Sequence, residues 1–217
     1  MFQLRLDRPS QPGCKVLCLG AHSDDIEIGC GGTILRLLNA YPEAEVKWVV
    51  FSAIGPRRRE AQNSAKSFLK GAAMRDVALK SFRESFFPSR EEQIKKFFES
   101  IKQSFAPDVI FTHYRHDLHQ DHRVVSQLTW NTFRNHLILE YEIPKYDGDL
   151  GVPNTFVPLD SETCRAKVAN LLTHFLSQRS KQWFTEDLFL ALPRLRGMEC
   201  NAPARYAEAF YCRKLVL

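Results

Sequence analysis

Two short apolar runs, Val16-Leu17-Cys18-Leu19-Gly20 and Val109-Ile110-Phe111-Thr112, each lead into a cluster of histidines and carboxylates. The first cluster is Ala21-His22-Ser23-Asp24-Asp25-Ile26-Glu27-Ile28, followed by Gly29-Cys30-Gly31-Gly32. The second is His116-Asp117-Leu118-His119-Gln120-Asp121-His122. Short, continuous apolar runs suit strands covered on both faces. Polar clusters at their carboxyl ends then stand on the edge where open α/β sheets bind ligands. The pair predicts one metal site assembled from two strand ends, and a hydrolase.

The rest of the chain keeps the alternation. Strand-like segments span Lys15–Ala21, Glu45–Ser52, Asp76–Phe82, Asp108–His113 and Leu137–Ile143. Helical spacing appears over Thr33–Leu38, Pro56–Leu69, Arg90–Phe105, Asp121–His136 and Ser161–Ser177. Lys145–Val157 reads as a loop, and Phe210–Leu217 as a closing strand or a tail. The expected fold is α/β: a Rossmann-like open, mostly parallel sheet with helices on both faces, forming a single domain over residues 1–217. No internal repeat or low-complexity stretch interrupts it.

Composition narrows the classes of function. No apolar run approaches the roughly 18 residues that span a bilayer. Met1–Asp7 lacks the charged-then-apolar plan of a signal peptide, so a cytoplasmic location is expected. The six cysteines form no C-x-x-C pair and read as buried free thiols. The formal net charge is +5, but eight basic residues against Glu60 and Asp76 concentrate +6 between Pro56 and Arg83. That segment is either a solvated helix face or a contact for an anionic, phosphate-bearing substrate. No motif for nucleic acid is present.

Imidazole and carboxylate suit a borderline divalent ion, and a catalytic zinc takes three protein ligands plus water. His22 and Asp25, three residues apart on a turn, can aim at one point. His122 is the candidate third ligand if the first and fourth strands are neighbours at the switch point. Asp24 then lies beside the ion, where a carboxylate takes the proton of an attacking water. His119, with Asp121 nearby, either stabilises a developing oxyanion or protonates a leaving amine. The glycines do not complete G-x-G-x-x-G: Ile34 occupies the sixth position from Gly29, and His22 the second glycine's place from Gly20. Asp24, Asp25 and Glu27 would also repel a pyrophosphate. The glycines are read as allowing close helix–strand packing.

At these residues the sequence resembles the LmbE-like, or PIG-L, family of zinc-dependent N-deacetylases. The family's A-H-P-D-D-x-E is matched by Ala21-His22-Ser23-Asp24-Asp25-Ile26-Glu27, and its H-x-D-H by His119-Gln120-Asp121-His122. Weaker likenesses are Arg57–Glu60 to R-x-x-E, Ser177-Gln178 to S-Q, and Tyr206–Phe210 to Y-A-E-A-F. The resemblance implies Zn2+ on His22, Asp25 and His122, with other divalent metals as substitutes. It further implies Asp24 as general base, His119 as the histidine that stabilises the transition state, Asp121 as its orienting partner, and Arg57 near the substrate. Glu208 is read as structural. Ser23 replaces the usual proline, which stiffens the turn. The implied substrate is a small acetylated amino sugar, typically an N-acetylglucosamine conjugate. Two rivals remain: an iron(II) facial-triad enzyme and a non-catalytic sugar-binding protein that retains the site. Homo-oligomer formation is left open.

Overall fold

A computed structural model describes residues 13–216 of the chain; Met1–Asp7 lies outside them. The strands are β1 (Lys15–Gly20), β2 (Glu45–Val50), β3 (Met74–Leu79), β4 (Val109–His113), β5 (Leu137–Tyr141), β6 (Thr155–Leu159) and β7 (Tyr206–Cys212). They form one sheet in the order β3-β2-β1-β4-β5-β7-β6. The first five are parallel; β7 runs antiparallel to both β5 and β6. The chain winds outward from β1 to β3, then returns to place β4 on the other side of β1. The switch point therefore falls between β1 and β4, as the ligand spacing requires.

The helices are α1 (Asp25–Ala40), α2 (Pro56–Phe68), α3 (Glu91–Ser104), α4 (Gln120–Thr132), α5 (Ser161–His174) and α6 (Glu186–Glu199). They cover both faces. Alternation along β1 sends Val16 and Cys18 to a core shared with α1, α2 and α5, and Leu17 and Leu19 to a core shared with α3 and α4. Phe184 is buried in the first of these cores with Trp183 packed against it. No helix of the described residues is long and apolar enough to cross a membrane.

Beyond shifts of a few residues at element ends, such as β3 and the close of α4, four segments differ from the sequence expectation. Helix α1 begins at Asp25 rather than near Thr33, so Gly29, Gly31 and Gly32 lie inside it. Glycine costs roughly 1 kcal/mol against alanine in a helix, but here contact demands it. A Cβ on Gly29 would stand 2.2 Å from Cδ2 of Tyr141, and one on Gly32 would stand 2.5 Å from Cδ1 of Leu159. The loop expected over Lys145–Val157 gives way to β6 at Thr155, and the closing strand starts at Tyr206, four residues before Phe210. Helix α6 has no counterpart in the sequence reading. Pro193 sits in its interior and masks the pattern, whereas the Thr185 side chain caps its start by accepting from the Leu188 N–H.

A buried ion pair locks α1 to the antiparallel end of the sheet. Lys167 Nζ lies 2.7 Å from Glu208 Oε1 and donates to the Ile28 carbonyl at 2.6 Å. Glu208 accepts from the N–H groups of Gly32 (2.9 Å) and Thr33 (2.6 Å). All three of these Glu208 contacts are internal, which fits the structural reading of this residue.

Candidate metal centre

Strands β1 and β4 end side by side, so the turns that follow them face each other. Ala21–Asp24 bridges β1 to α1, and Asp25 is the first residue of α1. His113 closes β4, while His119 caps α4 and places Asp121 and His122 in its first turn. All of these side chains are buried except His119, which is half-buried.

Three ligand-type atoms converge. His22 Nδ1 lies 3.1 Å from His122 Nε2 and 3.4 Å from Asp25 Oδ2, and His122 Nε2 lies 3.6 Å from Asp25 Oδ2. Tetrahedral ligands about 2.0–2.1 Å from one ion stand about 3.3 Å apart. The triangle of His22, Asp25 and His122 therefore has the size that a single divalent ion needs.

Each of the two imidazoles meets a carboxylate through its second nitrogen. His22 Nε2 is 3.1 Å from Asp121 Oδ2, and His122 Nδ1 is 2.9 Å from Asp117 Oδ2. Such partners set the tautomer and ring plane of metal-binding histidines. Asp121 is itself held by the N–H groups of Ser85 (2.6 Å) and Phe87 (3.1 Å). Burial would lower the pKa of His22, but the charge of Asp25 and the bond to Asp121 raise it to about 10. Burial and neighbouring His113 push His122 down to about 3.

Asp24 lies just before α1, with its carboxylate pointing inward. Oδ1 accepts from Arg57 Nη2 at 2.6 Å, while Oδ2 is buried without a hydrogen-bond partner. Burial raises the pKa of this carboxyl, with Arg57 pulling the other way. Arg57 also reaches Glu84 at 3.4 Å. Ser23 is fully buried and donates to the Ser52 carbonyl at 3.3 Å, a tether to the end of β2 where proline is usual.

His119 stands against both histidines, with ring centroids 4.9 Å from His22 and 4.6 Å from His122. Its Nδ1 accepts from the Asp121 N–H at 3.2 Å, so a neutral ring carries its proton on Nε2. The expected orientation of His119 by Asp121 thus runs through the Asp121 backbone; the Asp121 carboxylate faces His22. Arg57, expected at the substrate, is brought onto Asp24.

Two residues at the site carried no assigned role in the sequence. His113 stacks on His122 with centroids 3.9 Å apart, and its Nε2 lies 3.2 Å from Asp25 Oδ2. Asp25, His113 and His122 form a second group with ligand-type spacing, as do His22, His119 and His122. Asp117 holds His122 and also accepts from the His119 N–H at 2.8 Å. The visible signal for His113 was its place at the end of the β4 run. His116 is exposed and stays outside the cluster. Glu60, of the R-x-x-E segment, accepts from both the N–H and the hydroxyl of Ser177, joining two of the weaker likenesses.

Residues 17–133, more than half of the chain, match the family model described as PIG-L, GlcNAc-PI de-N-acetylase. An uncharacterized deacetylase of Escherichia coli K12, YaiS, is 29% identical over 169 residues, which cover 73% of this chain and 89% of that protein. Among solved structures, the N,N'-diacetylchitobiose deacetylase of Pyrococcus horikoshii superposes with a TM-score of 0.65 at 20% identity, over 91% of this chain and 83% of that one. GalB, the 4-carboxy-2-hydroxymuconate hydratase of Pseudomonas putida KT2440, gives 0.74 at 16% identity, over 94% and 98%. The two solved structures share the fold and differ in reaction, so the fold alone does not choose the chemistry. The chain belongs to the PIG-L, or LmbE-like, family of de-N-acetylases.

Proposed function

We propose that this chain is a metal-dependent hydrolase that removes the N-acetyl group from an amino sugar conjugate of the N-acetylglucosamine type. The observation that carries this reading is the convergence of His22, Asp25 and His122 within 3.1–3.6 Å, beside a buried Asp24 oxygen that has no partner. Zn2+ is the proposed cofactor, because two imidazoles and one carboxylate form a borderline-soft set; other divalent ions fit the same donors. When bound, such an ion brings the pKa of its water toward neutrality and polarises the acetyl carbonyl.

The chain's own groups do the rest. Asp24 Oδ2 takes the proton of the attacking water and returns it to the amine nitrogen as the C–N bond breaks, and Arg57 keeps that carboxylate aimed by holding its other oxygen. His119 Nε2–H donates to the oxygen on which negative charge develops. Asp121 holds the His22 ring and, through its N–H, the His119 tautomer. Ile54, just ahead of α2, and Tyr146 and Val152, between β5 and β6, expose their side chains on loops that would frame the aglycone. The six free cysteines suit a reducing, cytoplasmic compartment.

The test is acetate and free-amine release from a panel of N-acetylglucosamine conjugates that includes nucleotide sugars. Equal yields of both products, stopped by a chelator and restored by zinc, are expected. Absence of release from protein carrying one equivalent of metal would overturn the reading. The facial-triad rival predicts oxygen consumption instead, and the unpartnered Asp24 oxygen favours hydrolysis over it.

A further inference from the structure

Lys145 follows β5 and Pro144 and carries none of the roles assigned above. Its ammonium lies 2.8 Å from Asp117 Oδ2, 2.7 Å from Asp149 Oδ1 and 3.3 Å from the Ile143 carbonyl. Asp149 Oδ2 also stands at 2.6 Å, so all three N–H donors have acceptors. The lysine side chain is 13% exposed, against 2% for Asp117 and 6% for Asp149. Asp149 also accepts from the Leu118 N–H at 2.7 Å. One cation therefore joins the segment after β5 to the segment that carries His119 and His122.

The shared atom is the informative one. Asp117 Oδ2 meets Lys145 on one side and His122 Nδ1, at 2.9 Å, on the other. Its second oxygen takes the His119 N–H. The direction of the Asp117 carboxylate, and with it the plane of the His122 ring, is thus defined from three sides. Two buried carboxylates, Asp117 and Asp149, would repel each other without a cation between them. With Lys145 gone, Asp117 loses the contact that aims Oδ2 at His122.

We propose that Lys145 is a positioning residue of the metal centre, acting through Asp117 on His122. The inference rests on the proposed metal-binding reading of His22, Asp25 and His122. A purely structural brace would move the melting temperature and leave the metal untouched. A positioning residue moves the metal's affinity and its coordination geometry.

The experiment compares metal-stripped wild type with Lys145→Met and Lys145→Arg, titrating zinc against a chromophoric chelator and recording the visible spectrum with cobalt(II). Loss of an outer partner of a metal-binding histidine costs roughly 10–100-fold in metal affinity. That range applies to Asp117 itself; Lys145→Met, one contact further out, is expected at its lower end, about 10-fold, with changed cobalt bands, and Lys145→Arg to recover most of both. Should Lys145→Met not fold, Lys145→Gln, which keeps an N–H but no charge, is titrated the same way. A folded variant with zinc affinity within twofold of wild type and an unchanged cobalt spectrum overturns the inference alone. A wild type that takes up no divalent ion overturns the metal reading and this inference together.

Discussion

Asp24→Asn lowers acetate release about 10²–10⁴-fold, the range a positioned general base contributes, and leaves the metal in place. The separation of the two effects follows from the geometry. Asp24 Oδ1 is engaged by Arg57 at 2.6 Å, an acceptor position that asparagine retains, so the turn keeps its anchor. The Oδ2 atom, without a partner, is the one that loses its basicity. None of the three converging ligand atoms belongs to Asp24, and Asp25 is held independently by the His22 N–H at 2.6 Å. Metal content measured beside kcat decides the matter. An inactive variant that has also lost its metal would place Asp24 among the ligands, and a fully active one would remove it from the mechanism.

Glu208→Ala destabilises the fold by about 3–5 kcal/mol, the cost of stripping one partner from a buried ion pair. Lys167 is 2% exposed and Glu208 4% exposed. Removing the carboxylate leaves the ammonium with the Ile28 carbonyl, and takes away the side-chain acceptor that the N–H groups of Gly32 and Thr33 share inside α1. The three elements concerned, α1, α5 and β7, lose a charged junction. The double variant Lys167→Met with Glu208→Ala recovers part of the loss, because no unpaired charge then remains buried. Denaturant midpoints measure both. A loss below about 1 kcal/mol for the single variant would show that the pair is solvated and contributes little.

The features set by local chemistry were legible in the chain. Apolar runs marked β1, β2 and β4, and the polar residues directly after β1 and β4 marked the site edge. The neighbouring of β1 and β4 followed from asking how His22 and His122 can share an ion. What failed to show depends on partners distant in sequence. Glu208 meets α1 across 176 residues at Gly32, and Tyr141 explains Gly29 from the other half of the chain. Strands β6 and β7, antiparallel at one end of the sheet, carry Pro158 and Glu208, which blur the apolar pattern. Pro193 hides α6. At the centre, the identities of the side chains were readable but their pairings were not. The carboxylate of Asp121 chooses His22 over its sequence neighbour His119, and Asp117 and Lys145 acquire their positions only when the loops after β4 and β5 meet.

A crystal structure of the zinc-loaded protein, with anomalous data collected across the zinc edge, shows whether His22, Asp25 and His122 share one ion. One peak is expected, bonded to His22 Nδ1, His122 Nε2 and Asp25 Oδ2 at about 2.0–2.2 Å, with Asp24 beside it and unbonded. A peak on Asp25, His113 and His122 that leaves His22 free, or no peak within this cluster, would contradict it.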